Sequence, residues 1–260
     1  MSKRRVILAV MAVVVIAGVA TTFAQRVPQR RESSSNSQSY SGNVRYDGRF
    51  VFVRMSYNDG NFRGGARWAH DWPMGETHFL KLLTAITNMS SHTDASSIMS
   101  FSDPELFKFP IAYLVEPGYW YMSDTDVTTL RDYLLKGGFL IVDDFPNQQG
   151  RGWPNFDLQM SRVFPEGKWI QLDSRHPIFH SFFELDDIDN IPTAYSLGGR
   201  PEFWALFEDN DPTKRMYAIA NYQNDLSEFW EFSEEGRYLV QDSNTAYKFG
   251  INEFIYGITH

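Results

Sequence analysis

Phe109-Pro-Ile-Ala-Tyr-Leu-Val115 and Phe139-Leu-Ile-Val-Asp-Asp144 are the two stretches on which the fold of this chain turns. Each is a short, nearly continuous apolar run, the pattern of a strand buried on both faces of a parallel sheet. Glu116-Pro117-Gly118 ends the first run, and Ser123-Asp-Thr-Asp126 then resembles a capping box with Asp in place of Glu. Val127, Leu130 and Leu134 follow at helical spacing up to Gly137-Gly138, a helix stop. Strand, helix and strand in this order form a βαβ unit, which implies a parallel sheet with right-handed crossovers.

The same signals extend outward from this unit. Arg49-Phe-Val-Phe-Val-Arg-Met55 is a β-branched and aromatic run that reads as the first strand, followed by a loop over Gly60 to Trp68. Phe79, Leu82, Leu83 and Ile86 predict a helix over Glu76 to Met89, with Pro73 just ahead of it where a missing N–H costs nothing. Downstream, the pattern predicts a helix over Asn155 to Phe164, a short strand over Lys168 to Leu172, a hairpin within Glu202 to Tyr222 and a helix over Tyr247 to Ile258. Beyond His176 the signals weaken, and no internal repeat is present.

Composition bounds the function. Of 260 residues 43% are hydrophobic and 22% charged, which excludes a disordered or collagen-like chain. The absence of cysteine excludes disulfides, zinc–thiolate and iron–sulfur sites, and thiol nucleophiles. Lys3, Arg4 and Arg5 precede an uncharged apolar run from Val6 to Ala20, and Thr22-Phe-Ala24 supplies the small residues a signal peptidase reads. Residues 1–24 therefore read as a signal peptide, with an uncleaved membrane anchor as the alternative, and the protein as exported to a periplasmic or extracytoplasmic location. Residues 25–43, rich in Ser, Gln, Asn and Arg, read as a flexible tether, and residues 44–260 as a single domain. Loss of the three leading basic residues leaves 21 basic against 32 acidic, a net charge of −11 that disfavours nucleic acid as a partner.

Five blocks, Arg67-Trp-Ala-His-Asp-Trp-Pro73, Asp103-Pro-Glu-Leu-Phe107, Glu116-Pro-Gly118, Gly137-Gly-Phe-Leu-Ile-Val-Asp-Asp144 and His176-Pro-Ile-Phe179, together resemble the bacterial family termed domain of unknown function 4159, from about Tyr46 to the C-terminus. The resemblance implies a three-layer α/β fold: a Rossmann-like, mostly parallel sheet flanked by helices, of the class I glutamine amidotransferase-like superfamily. It brings no established activity. Amidotransferases of that superfamily use a cysteine nucleophile, which this chain lacks, so the resemblance does not extend to thiol-based glutamine hydrolysis. Sugar-utilisation-type relatives with a similar Gly-Gly strand make carbohydrate a conceivable ligand by fold-level analogy.

In an open parallel sheet ligands bind beyond the C-terminal strand ends. Glu116, Asp143 and Asp144 stand at such ends, where they can hold a divalent cation, split into a general acid and base, or simply cap turns. His70 and Asp71 follow the loop after the first strand, and with His176 they complete the candidate crevice. His78 and His180 more often pack or cap at such positions, and Trp68 and Trp72 offer ring faces for a sugar or packing mass for a core. Arg63 and Arg67 suit an anion, although no phosphate-binding glycine motif accompanies them, and no Gly-x-Ser-x-Gly elbow supports a serine hydrolase. These residues predict a binding or interaction module with a protein or glycan ligand in the cell envelope. The alternatives are a metal-assisted hydrolase of a glycan or other envelope substrate, and a purely structural domain.

Overall fold

A seven-stranded sheet in the order β2-β1-β3-β4-β7-β6-β5 forms the centre of the computed structural model, which describes residues 42–59, 66–145, 152–195 and 199–260. The strands are β1 (Val53–Ser56), β2 (Ser97–Ser100), β3 (Ile111–Val115), β4 (Phe139–Phe145), β5 (Trp169–Gln171), β6 (Glu202–Phe207) and β7 (Met216–Tyr222). β2, β1, β3, β4 and β7 run parallel, while β6 and β5 are added antiparallel at one edge. Five helices accompany them among the described residues: α1 (Met74–Ile86), α2 (Asp124–Leu135), α3 (Gly152–Val163), α4 (Leu226–Glu231) and α5 (Val240–Thr259).

The burial of β3 and β4 explains their composition. All five residues of β3 and all seven of β4 are buried, so both faces demand apolar side chains. Alternate residues serve two cores. Ile111, Tyr113, Val115 and Ile141 pack against α1, α4 and α5 on one face, while Ala112, Leu114, Leu140 and Val142 pack against α2 and α3 on the other. The α2 capping box forms as its sequence predicts: the Asp126 N–H donates to Ser123 Oγ, and the Ser123 N–H donates to the Asp126 carboxylate at 2.9 Å.

The expected βαβ unit is therefore present, together with the 202–222 hairpin as β6–β7. α5 begins at Val240, ahead of the expected start at Tyr247, β1 begins at Val53 and not Arg49, and two further elements have no counterpart in the sequence reading. Ser97-Ile-Met-Ser100 pairs parallel with β1 as an edge strand, a run too short to stand out by pattern. α4 is a six-residue helix whose N-terminus is held by tertiary contacts. The signal peptide, the tether to residue 41 and the loop residue Arg63 lie outside the described residues. No helix among the described residues is long and apolar enough to cross a membrane.

β1 has β2 on one side and β3 on the other, so the chain reverses direction across the sheet between β1 and β3. Such a switch point opens a crevice beyond the C-terminal strand ends. The segments that follow β1, β3, β4 and β7 all emerge there.

Candidate functional site

Arg54, fully buried in β1, organises the first of these segments. Its Nε donates to Glu76 Oε1 in the first turn of α1, and Nη1 donates to the His70 carbonyl at 2.8 Å. Burial alone would lower the guanidinium's affinity for its proton, but the carboxylates of Glu76 and Asp71 more than offset this. The buried charge thus fixes the backbone that presents His70 and Asp71. Removing Glu76 alone would strand that charge at a cost of about 3–5 kcal/mol.

Asp71, Glu116 and Asp144 each adopt left-handed backbone, with φ of 62°, 50° and 53°. Non-glycine residues pay for this conformation, and it concentrates where the surrounding structure imposes a geometry. Glu116 adopts it directly after β3, Asp144 near the end of β4, and Asp71 in the turn that leads into α1. His70 Nδ1 lies 3.0 Å from Asp144 Oδ2 and 3.3 Å from Asp71 Oδ1. Asp71 Oδ2 accepts from Ser227 Oγ at 2.6 Å, and the Tyr195 hydroxyl donates to Asp144 Oδ1. Asp225, the N-cap of α4, accepts from the Glu228 N–H at 3.1 Å. One donor atom from each of His70, Asp71, Asp144 and Asp225 lies within 4.8 Å of the others, and the three aspartates are buried.

The charge balance of this cluster is uneven. His70 Nδ1 faces one carboxylate oxygen of each of Asp71 and Asp144, and among the described residues neither oxygen has a well-formed hydrogen bond. Hydrogen bonds to Asp144 and Asp71 hold His70 protonated, with its pKa raised to about 11. Burial, then the charges of Asp144 and Asp71, push Asp225 far above the usual carboxylate range. Burial and Asp144 raise Glu116 to about 7. The His70 ring opens onto a cavity of about 370 Å³, also lined by Tyr195, Asp225, Glu228, Glu231 and Arg237. Within it burial and Asp71 raise Glu231 to about 7.

The structure thus brings His70, Asp71 and Asp144 together, but it arranges the other predicted residues differently. Asp143 turns away from the crevice: its Oδ2 accepts from the Tyr113 hydroxyl at 2.6 Å and from the Leu226 and Ser227 N–H groups at 2.8 and 3.1 Å, anchoring α4 from beneath. Glu116 borders the cluster and pairs with Arg67 Nη1 at 3.2 Å, and that guanidinium lies over the Tyr119 ring. The proposed Glu116, Asp143 and Asp144 ligand trio is therefore not the set of donors that converges. Asp71 and Asp225 join Asp144 instead, because Asp143 and Asp144 point to opposite sides of β4.

His176 belongs to another region. Its Nδ1 accepts from the Ile178 N–H, and its ring packs between Phe207 and Tyr256, near the opposite end of the parallel strands. His78 donates from Nδ1 to the Trp230 carbonyl at 2.9 Å and ties α1 to α4. His180 pairs with Glu184 on the surface, Trp68 is buried, and Trp72 is exposed with its indole N–H on Ser96.

Asp225, Tyr195, Ser227 and Glu231 are site residues that the sequence reading did not select. Asp225-Leu-Ser-Glu228 carries the spacing of a capping box directly after β7, a signal that would have located Asp225. The family model described as Domain of unknown function (DUF4159) matches residues 49–258. Among curated proteins, nothing matches the chain.

Proposed function

The chain belongs to the family described as Domain of unknown function (DUF4159), and we propose that it is an exported, envelope-associated binding module of the amidotransferase-like, Rossmann-related type, in which His70, Asp71, Asp144 and Asp225 hold a divalent cation. One observation carries this reading: donor atoms from three separate segments converge on one point, where two carboxylate oxygens face one imidazole nitrogen. A divalent ion takes the place of the His70 proton, because a ligating imidazole is neutral, and brings two positive charges where the proton brings one. Three carboxylates and one imidazole suit a hard or borderline cation such as Mg²⁺, Mn²⁺ or Zn²⁺. The adjoining cavity gives a ligand access to the ion, and its wall includes Tyr195, bonded to Asp144, and Arg237, paired with Glu228 at 3.1 Å. The absence of cysteine removes thiol-based glutamine hydrolysis from the candidates.

A second reading, metal-assisted hydrolysis of a glycan or other envelope substrate, is favoured by Glu231. Its carboxyl lines the cavity beside Asp71, and burial and the Asp71 charge push it above the ordinary carboxylate range, which places a proton-holding group next to the cation site.

Thermal-shift titration of the purified chain with Mg²⁺, Ca²⁺, Mn²⁺ and Zn²⁺ tests the cation site. Selective binding to the folded state adds about 2.7 kcal/mol of apparent stability at a concentration of 100 Kd. The expected result is a saturable rise with at least one cation, abolished in Asp225→Asn and Asp144→Asn. An unchanged transition with all four ions overturns the proposal. Metal-dependent turnover of a glycan, lost in the same variants, would favour the hydrolase over the binding module.

A further inference from the structure

A second concavity lies on the opposite face of the sheet from α4, where the antiparallel extension β6–β5 passes beyond α3. It measures about 650 Å³, within the usual range for small-ligand pockets. Trp153 from the first turn of α3, Trp169 from β5, Trp204 from β6 and Tyr222 from the end of β7 form its floor, each half-buried. Asp157, Lys168 and Glu202 also line it. Register explains why these rings share one face. Gln171 pairs with Trp204, Trp169 with Leu206 and Glu202 with Tyr222, so Trp169, Trp204, Glu202 and Tyr222 project to the same side of the sheet.

From this arrangement we infer that the concavity binds a neutral glycan. The rings cluster around Trp153, whose centroid lies 5.8, 5.5 and 5.3 Å from those of Trp169, Trp204 and Tyr222 with the planes inclined by 71°, 54° and 72°. Trp153 therefore fills the centre that a cage for a quaternary ammonium would have to leave open. Half-buried indoles inclined to one another and lining a concavity offer apolar walls for the flat C–H face of a pyranose ring, whose edge carries hydroxyls. The surrounding groups fit that edge. Glu202 accepts from Trp204 Nε1 at 3.0 Å, which holds both the indole and the carboxylate in place, and Asp157 and Lys168 add an acceptor and a donor for hydroxyls. Two carboxylates against one ammonium repel an acidic polysaccharide, and a charged lining of both signs is unsuited to an acyl chain. This site is independent of the cation site, from which the sheet separates it.

Tryptophan fluorescence of the whole chain, titrated with cellotriose and with the β-1,4-linked trimer of N-acetylglucosamine in the presence of EDTA, tests the inference. The expected result is a saturable change with at least one trimer, persisting in EDTA and weakened roughly tenfold or more in Trp204→Ala and in Trp169→Ala. Circular dichroism shows whether each variant remains folded, and Glu202→Gln, which preserves shape, provides a test of hydroxyl recognition should either tryptophan variant unfold. Absence of a saturable response to both trimers overturns the inference. So does equal affinity in folded Trp204→Ala, or saturation by tetramethylammonium in place of the glycans. Because chelator is present throughout, loss of the cation site cannot produce or conceal any of these results.

Discussion

Asp143 and Asp144 are adjacent in the chain yet have unlike roles, because successive residues at a strand end point to opposite sides. Asp144 faces His70 and the cavity, whereas Asp143 is enclosed and accepts hydrogen bonds from Tyr113 and two backbone N–H groups of α4. Asp143→Ala leaves those donors without a partner in a dry interior, so a loss of about 3 kcal/mol or more is expected in urea unfolding. A loss under about 1 kcal/mol would show that the anchor is not needed. His176 offers a pH test away from the cluster. Burial lowers its pKa to about 4 from an ordinary value near 6.5. Between these values the unfolded chain binds more protons than the folded one, so His176 makes stability fall as pH drops from 6.5 to 4. His176→Asn retains an N-cap acceptor and removes the titration. The difference in unfolding free energy between pH 7 and pH 4.5 should therefore be smaller in the variant than in wild type.

At the scale of elements, local signals define the helices that begin with their own caps. α2 carries a complete capping box, and Ser123→Ala is expected to cost about 1 kcal/mol in thermal or urea unfolding with no change in cation response. α4 belongs to another class. Six residues cannot sustain a helix alone, and this one persists because Asp225 and Asp143 satisfy its first N–H groups while Leu226, Phe229 and Trp230 are buried. That dependence explains why periodicity missed α4 and why the site residues it carries, Ser227 and Glu231, were missed with it. β2 escaped for a related reason: a four-residue edge strand gains its order from pairing with β1.

For the molecule as a whole, export is the proposal with the most direct test. Cleavage after Ala24 leaves Gln25 as the first residue, so N-terminal sequencing of protein recovered from the envelope fraction should begin at Gln25. A start upstream of Val6 would point to an uncleaved anchor. The sequence by itself determined the α/β class, the parallel core and the placement of carboxylates at its strand ends, because buried strands demand continuous apolar runs and helix caps act over three or four residues. It also located His70, Asp71 and Asp144. Tertiary structure alone decided which carboxylates meet, and which histidine joins them. Ser227 reaches Asp71 across 156 positions of sequence and Tyr195 reaches Asp144 across 51, whereas His176, in a block as distinctive as any other, is carried to the far end of the sheet. Local pattern specifies elements through short-range packing and capping, but the site is assembled where strand order and left-handed turns bring remote side chains together, and neither leaves a periodic trace in the chain.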